Sequence, residues 1–226
     1  MKNLRNQANC DNLKFVAEYL AGIPHFCFFG TLLGVARNGV PIPDDDDVDV
    51  LVDSRYRKNV MQVLANSDLG FVLEADNPVN QTDYFLNYRR LVNGVWSQLD
   101  FYFYENIESR NYLIERWNFG GFHQVNNPSN ALHIPKNIVF PVKRFFIPDI
   151  GYVNIPNKEE DCSAWLYGDK WRTPSAKGKD YLMVVQGHRP KLIQISFLYK
   201  MIRGLGSVLP YKVSVYFKRL IINVFW

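Results

Sequence analysis

The sequence predicts an α/β domain of the α+β kind, a mixed β-sheet with helices packed on it. Three observations predict it. Leu13, Val16, Ala17 and Leu20 recur at helical spacing. A valine-rich strand, Val48–Val52, lies downstream of a Gly-Thr turn that opens a short helix. Two β-like runs, Tyr84–Leu91 and Trp96–Tyr104, flank Asn93-Gly94, a strong hairpin signal. With 226 residues, 47% of them apolar, the chain has enough material for one domain, and global disorder is excluded.

Taken in order, residues 10–21 form a helix that Gly22-Ile23-Pro24 stops. His25–Phe29 reads as a short buried strand, and Thr31–Arg37 as a helix entered through Gly30. Asn38-Gly39 is a turn. After the strand Val48–Val52, Ser54 caps a helix with Val60, Val63 and Leu64 on one side. Phe71–Leu73 and Tyr112–Trp117 are further strands. Residues 123–156, rich in Pro and Asn, show little periodicity and read as a long irregular stretch. Asn157-Lys158-Glu159-Glu160 resembles a capping box and starts a helix that ends near Gly168.

Cys10, Cys27 and Cys162 show no CxxC spacing, which argues against a disulfide framework or a structural zinc site. They suit a reducing, cytoplasmic setting. Met1–Cys10 is polar, and no apolar run reaches the ~18 residues of a spanning helix, so the chain is not expected to cross a membrane.

The chemistry concentrates at Asp44–Asp49, where five of six residues are aspartates. So much like charge in one segment is costly unless cations offset it. On a strand, Asp47 and Asp49 project from the same face while Val48, Val50 and Val52 take the other. Two carboxylates so spaced can share one Mg²⁺ or bridge two, the arrangement that metal-assisted transfer at phosphorus uses. A third carboxylate is needed, and Asp100 in Trp96–Tyr104 is the candidate. It shares the more polar face of its strand with Trp96, Gln98 and Tyr102. Its role would be to bind the metal that activates an incoming hydroxyl, or to accept that hydroxyl's proton; the alternative is a surface Asp on an edge strand. Gly30 and Thr31, where a strand gives way to a helix, offer backbone N–H groups to a phosphate. Arg37 either reaches a phosphate or pairs with one of the aspartates. Asp44, Asp45 and Asp46 are read as a loop, either part of the site or merely solvated.

Together these residues resemble the LicD/fukutin family of the nucleotidyltransferase-fold superfamily. The family pattern appears as Gly30-Thr31-Leu32-Leu33-Gly34, Arg37, Ile42-Pro43 and Asp45-Asp46-Asp47-Val48-Asp49. Tyr167-Gly168-Asp169-Lys170-Trp171, with Pro174, is similar to its C-terminal signature. The match spans roughly residues 11–175. Asp44 stands where the family often has Trp. The resemblance implies a nucleotidyltransferase-like mixed sheet and an enzyme, a transferase dependent on Mg²⁺ or Mn²⁺. Such a transferase moves phosphocholine or a polyol phosphate from a CDP-linked donor (CDP-choline, CDP-ribitol or CDP-glycerol) to a glycan or lipid-linked glycan acceptor. It makes Asp47, Asp49 and Asp100 metal ligands and catalytic residues. Gly30 and Thr31 contact donor phosphate, and Asp169 orders the site. An Asp-x-Asp glycosyltransferase and an inactive glycan-binding scaffold are the alternatives. Only 46 residues precede Asp47, short for the nucleotide-binding half of the former.

The catalytic domain is placed at 1–180 and a basic, aromatic-rich helical extension at 181–226. That extension carries seven Lys/Arg and no acid; against a whole-chain charge of +4 it leaves −3 for residues 1–180. It reads either as helices covering the domain or as a peripheral contact with the inner face of a membrane, where each cation contributes about 1 kcal/mol. Nucleic acid is not expected, because Ile193–Met201 and Val213–Phe225 are too apolar for a phosphate-tracking arm.

Overall fold

The computed structural model describes residues 2–45, 47–73, 82–116 and 131–174. The segments 123–130 and 181–226, read above as irregular stretch and basic extension, lie outside the described residues. The elements are α1 (Lys2–Tyr19), β1 (His25–Cys27), α2 (Phe29–Asn38), β2 (Asp47–Asp53), α3 (Arg57–Ala65), β3 (Val72–Leu73), β4 (Phe85–Val92) and β5 (Val95–Glu105). Then come β6 (Tyr112–Glu115), β7 (Leu132–Pro135), α4 (Lys136–Val139), β8 (Lys143–Ile147), β9 (Gly151–Ile155) and α5 (Glu159–Tyr167). The predicted mixed sheet is present, with helices flanking it.

Seven strands form the main sheet in the order β1-β2-β5-β4-β3, with β6 joined to β5 and β7 to β6. β2 and β5 run parallel, with Val48 beside Leu99 and Asp49 beside Asp100. β4 and β5 form the hairpin predicted at Asn93-Gly94, with Val92 opposite Val95. Both turn residues have positive φ, at 50° and 79°, as the tight turn demands. Val48, Val50, Val52, Phe101 and Phe103 are buried in the core, with Leu13 and Val16 of α1 and Leu20 just after it in the same cluster. Burying each such side chain contributes roughly 1.5–3 kcal/mol.

Several local readings need correction. α1 begins at Lys2, eight residues before the predicted start. Its first half lacks apolar periodicity, and Asn6 and Asn9 there bond to a distant loop instead. Ser54 does not cap the next helix: the Asp53 carboxylate accepts from the Arg55 N–H at 3.0 Å, and Ser54 starts a short 3₁₀ turn. Asn157 is not a cap either, since α5 starts at Glu159 without a side-chain cap. Residues 131–156 are not irregular. They hold β7, α4 and the β8–β9 hairpin, whose strands of four or five residues are too short to show a clear period. Phe145, Ile147, Val153 and Ile155 still alternate inward.

Two glycines set the geometry of α2. Gly39 ends the helix at φ 72°, its N–H donating to the Val35 carbonyl at 2.8 Å. Gly34 faces the chain that returns toward β2. A Cβ there would lie 2.6 Å from the Ile42 nitrogen and 2.8 Å from the Val40 carbonyl oxygen. Those atoms are main chain and cannot rotate away. Gly34→Ala is expected to destabilise the fold by about 1–3 kcal/mol, read as a drop in the urea midpoint, because it forces residues 40–42 off the helix. An unchanged midpoint would show that this segment is loosely held.

Candidate active site

Parallel pairing places Asp49 and Asp100 side by side, and the two-residue period of β2 brings Asp47 to the same face. Asp49 and Asp100 are buried and Asp47 is half-buried. Each of the three offers a carboxylate oxygen, and these oxygens lie within 4.8 Å of one another. Mg²⁺ takes oxygen ligands at about 2.0–2.1 Å, so oxygens sharing one ion lie no more than about 4.2 Å apart, and the set would have to close slightly to hold it. A pair of ions about 3.5–4 Å apart would also fit.

Electrostatics argues in the same direction. Burial holds the Asp49 carboxyl well above its ordinary range, and the charges of Asp47, Asp100 and Asp45 push it further. The Tyr102 hydroxyl, donating to Asp49, opposes the shift. Tyr102 keeps its proton because burial, then Asp49, Asp100, Asp47 and Glu115, raise its own pKa. The Cys27 thiol is pushed up to about 12 by burial and by Asp49, and stays uncharged. Such a donor set, all oxygen and all negative, is unfavourable alone and fits a hard divalent cation.

Gly30 and Thr31 stand directly against Asp49. The Gly30 N–H donates to Asp49 Oδ2 at 2.8 Å, and the Asp49 N–H donates to Thr31 Oγ1 at 2.8 Å. A Cβ at residue 30 would crowd the carboxylates. One there would lie 3.1 Å from Asp49 Oδ2 and 3.2 Å from Asp45 Oδ2. The preceding residue, Phe29, sits at φ 45°, a strained value for a bulky side chain, and its ring packs edge-on against Tyr102.

Arg37 and Asp169 lie elsewhere. Seven residues along α2 separate Arg37 from Gly30, about 10 Å of helix. The Arg37 guanidinium donates to the Trp171 carbonyl at 2.5 Å and the Thr173 carbonyl at 3.4 Å, rather than pairing with an aspartate. It thus ties α2 to the segment after α5. Asp169 is exposed in the turn that precedes Trp171.

Three contributions are decided only by the fold. Asp45, which the sequence leaves as either part of the site or merely solvated, is only 4% exposed and joins the site's charge. Asn87 on β4 donates through Nδ2 to Asp100 Oδ1 and to Gln98 Oε1. A signal for it existed: a two-residue turn at Asn93-Gly94 pairs Val92 with Val95, and counting outward sets Asn87 opposite Asp100. The third is a row of asparagines on α1, whose partners are so distant in sequence that no local pattern reveals them.

Among known proteins, residues 22–157 match the model of the LicD/FKTN/FKRP nucleotidyltransferase domain. No curated protein sequence matches. A similar solved structure is the lincosamide antibiotic adenylyltransferase LnuA with lincomycin bound. It is 14% identical with a TM-score of 0.45, over 66% of this chain and 81% of that one. Three carboxylates on two parallel strands, beside a Gly-Thr helix start, thus lie inside a family match covering more than half of the sequence, and the chain belongs to the LicD/FKTN/FKRP nucleotidyltransferase-domain family.

Proposed function

We propose that the protein is a Mg²⁺-dependent phosphotransferase. It moves phosphocholine or a polyol phosphate from a CDP-linked donor to a hydroxyl of a cell-surface glycan. The observation that carries this reading is the convergence of the Asp47, Asp49 and Asp100 carboxylates within a transferase-family domain. When bound, the divalent cation neutralises charge on the donor phosphates. Asp47 and Asp49 would hold that cation, and the helix start at Gly30 and Thr31, bonded to Asp49, would face the donor phosphates. Arg37 and Asp169 contribute from outside the carboxylate cluster, Arg37 through its hold on Trp171 and Thr173 and Asp169 by ordering the site. The acceptor oxygen bonds to the phosphorus that carries the alcohol, and the phosphorus–oxygen bond to CMP breaks. Asp100 takes the acceptor's proton, and CMP leaves with the displaced electron pair.

The test is hydrolysis with Mg²⁺ and a panel of CDP-choline, CDP-ribitol and CDP-glycerol. CMP release that a chelator abolishes is the expected result. Release of UDP or GDP from a sugar nucleotide instead would make the protein a glycosyltransferase. Pyrophosphate from a nucleoside triphosphate would make it a nucleotidyltransferase. No turnover of any donor would favour a glycan-binding scaffold. Among the described residues no helix is long and apolar enough to cross a membrane. We place peripheral membrane contact with the 181–226 extension, as part of this proposal for a lipid-linked acceptor.

A further inference from the structure

We propose that helix α1, which lies outside the residues matched by the family, is a positioning element of the acidic site. It sets the loop that leads into Asp47 through a directed chain of buried hydrogen bonds. The inference rests on reading the three carboxylates as a divalent-cation site.

The chain starts on β4 and ends at the acidic loop. Arg90 Nε donates to Asn12 Oδ1 at 2.7 Å. Asn12 Nδ2 donates to Ser97 Oγ at 2.8 Å. Ser97 Oγ donates to Asn9 Oδ1 at 2.8 Å, and Asn9 Nδ2 donates to the Asp45 carbonyl at 2.9 Å. The direction is forced at both ends. A guanidinium can only donate, so Asn12 turns its oxygen to Arg90 and its nitrogen to Ser97. A carbonyl can only accept, so Asn9 turns its nitrogen to Asp45 and its oxygen to Ser97. Every link therefore donates toward the aspartates. A cation stands at one end and the accumulated negative charge at the other, an order in which successive bonds polarise and strengthen one another.

One turn before Asn9, Asn6 Oδ1 accepts from the Asp44 N–H at 2.7 Å. Asn6 and Asn9 thus grip two successive residues of the loop from the same face of α1. Asp44 has φ 64°, an αL conformation that an aspartate adopts only at some cost. Arg90, Asn9, Asn12 and Ser97 are 6%, 2%, 0% and 0% exposed. Polar groups buried to this degree destabilise a fold unless satisfied, and apolar residues would serve packing alone better. What they add is the placement of Asp44 and Asp45, next to the carboxylates that take the cation.

The test compares Asn6→Ala, Asn9→Asp and Val16→Ala with the unaltered full-length chain. Asn9→Asp is isosteric and keeps the acceptor for Ser97, but sets a carboxylate oxygen against the Asp45 carbonyl in place of the donor, so Asn6→Ala, which adds no charge, is read beside it. Asn6 is half-buried, so Asn6→Ala keeps the fold if Asn9→Asp does not. Val16 is a core residue of α1 and serves as a stability control. Two readouts are used: Mn²⁺ affinity from titrated thermal shifts, and exchange of the Asp44 amide in metal-free protein. Asn6→Ala and Asn9→Asp are expected to weaken Mn²⁺ binding about 10–100-fold, and Asn6→Ala to speed the Asp44 amide. Val16→Ala should lower Tm and leave Mn²⁺ affinity unchanged. If the unaltered chain binds Mn²⁺ and both asparagine variants bind it equally well, the positioning role is wrong and the cation site stands. If the unaltered chain binds no Mn²⁺, the cation site is wrong and the positioning role falls with it.

Discussion

Asp100→Asn is expected to lower kcat by about 10²–10⁴-fold, the range for loss of a general base, without unfolding the protein. The side chain is buried beside Asn87, and an asparagine can still turn its oxygen to the Asn87 amide, so that bond survives. What disappears is one negative charge. Asp100 is among the charges that raise the proton affinity of Asp49, so the variant's metal-free state is relieved of like-charge repulsion. Its Tm without metal should equal or exceed that of the unaltered protein, while the Tm gain on adding Mg²⁺ shrinks. Loss of activity with retained or raised stability is the signature of a side chain placed for chemistry rather than packing. CMP release assays and paired melts check it. Unaltered turnover in Asp100→Asn would remove the third carboxylate from the mechanism.

The stabilisation by Mg²⁺ is expected to grow as pH rises from about 3.8 through the raised pKa of Asp49, by linkage. The folded-state pKa of this carboxyl lies well above the ordinary 3.8, chiefly from burial and then from Asp47, Asp100 and Asp45. In metal-free protein the folded state therefore binds the proton more tightly than the unfolded chain. The stability due to this group is whole below about pH 3.8 and is lost as pH climbs through the raised value. A divalent cation takes the place of the proton and binding releases it, so the gain in Tm is small where Asp49 is protonated and large where it is not. His25 pulls the other way. Burial lowers its pKa below 6.5, and its Nδ1–H donates to the Ile23 carbonyl at 2.7 Å. The unfolded chain then takes up the proton first, and stability falls as pH drops below about 6.5. His25 is not among the groups that offer ligand atoms, so its effect is common to both melts and cancels in their difference. Melting with excess Mg²⁺ and with chelator across this range therefore isolates the acidic cluster to which Asp49 belongs. A metal shift independent of pH would mean that Asp49 is not a ligand.

The three carboxylates were legible because strands have a period of two. Asp47 and Asp49 had to share a face, and Asp100 stood on the polar face of an aromatic strand. The hairpin was legible because Asn-Gly turns demand positive φ at both positions, which few residue pairs tolerate. That same turn implies the register that sets Asn87 against Asp100. Helix ends were read less well. Asp53 rather than Ser54 satisfies the first turn before α3, and nothing caps α5 through a side chain, because tertiary neighbours rather than local bonds set those starts.

Local spacing alone identified the acidic strand, the aromatic strand that carries Asp100 and the glycine before Thr31, since each is marked by a few neighbouring residues. The pairing of those strands, the burial of Asp45 with the site and the hold of α1 on its loop came from long-range folding. That hold depends on hydrogen bonds spanning 36 residues from Asn9 to Asp45 and 88 from Asn9 to Ser97. A polar side chain becomes buried and directed only when the folded chain brings it a partner, and no local periodicity records where that partner will be.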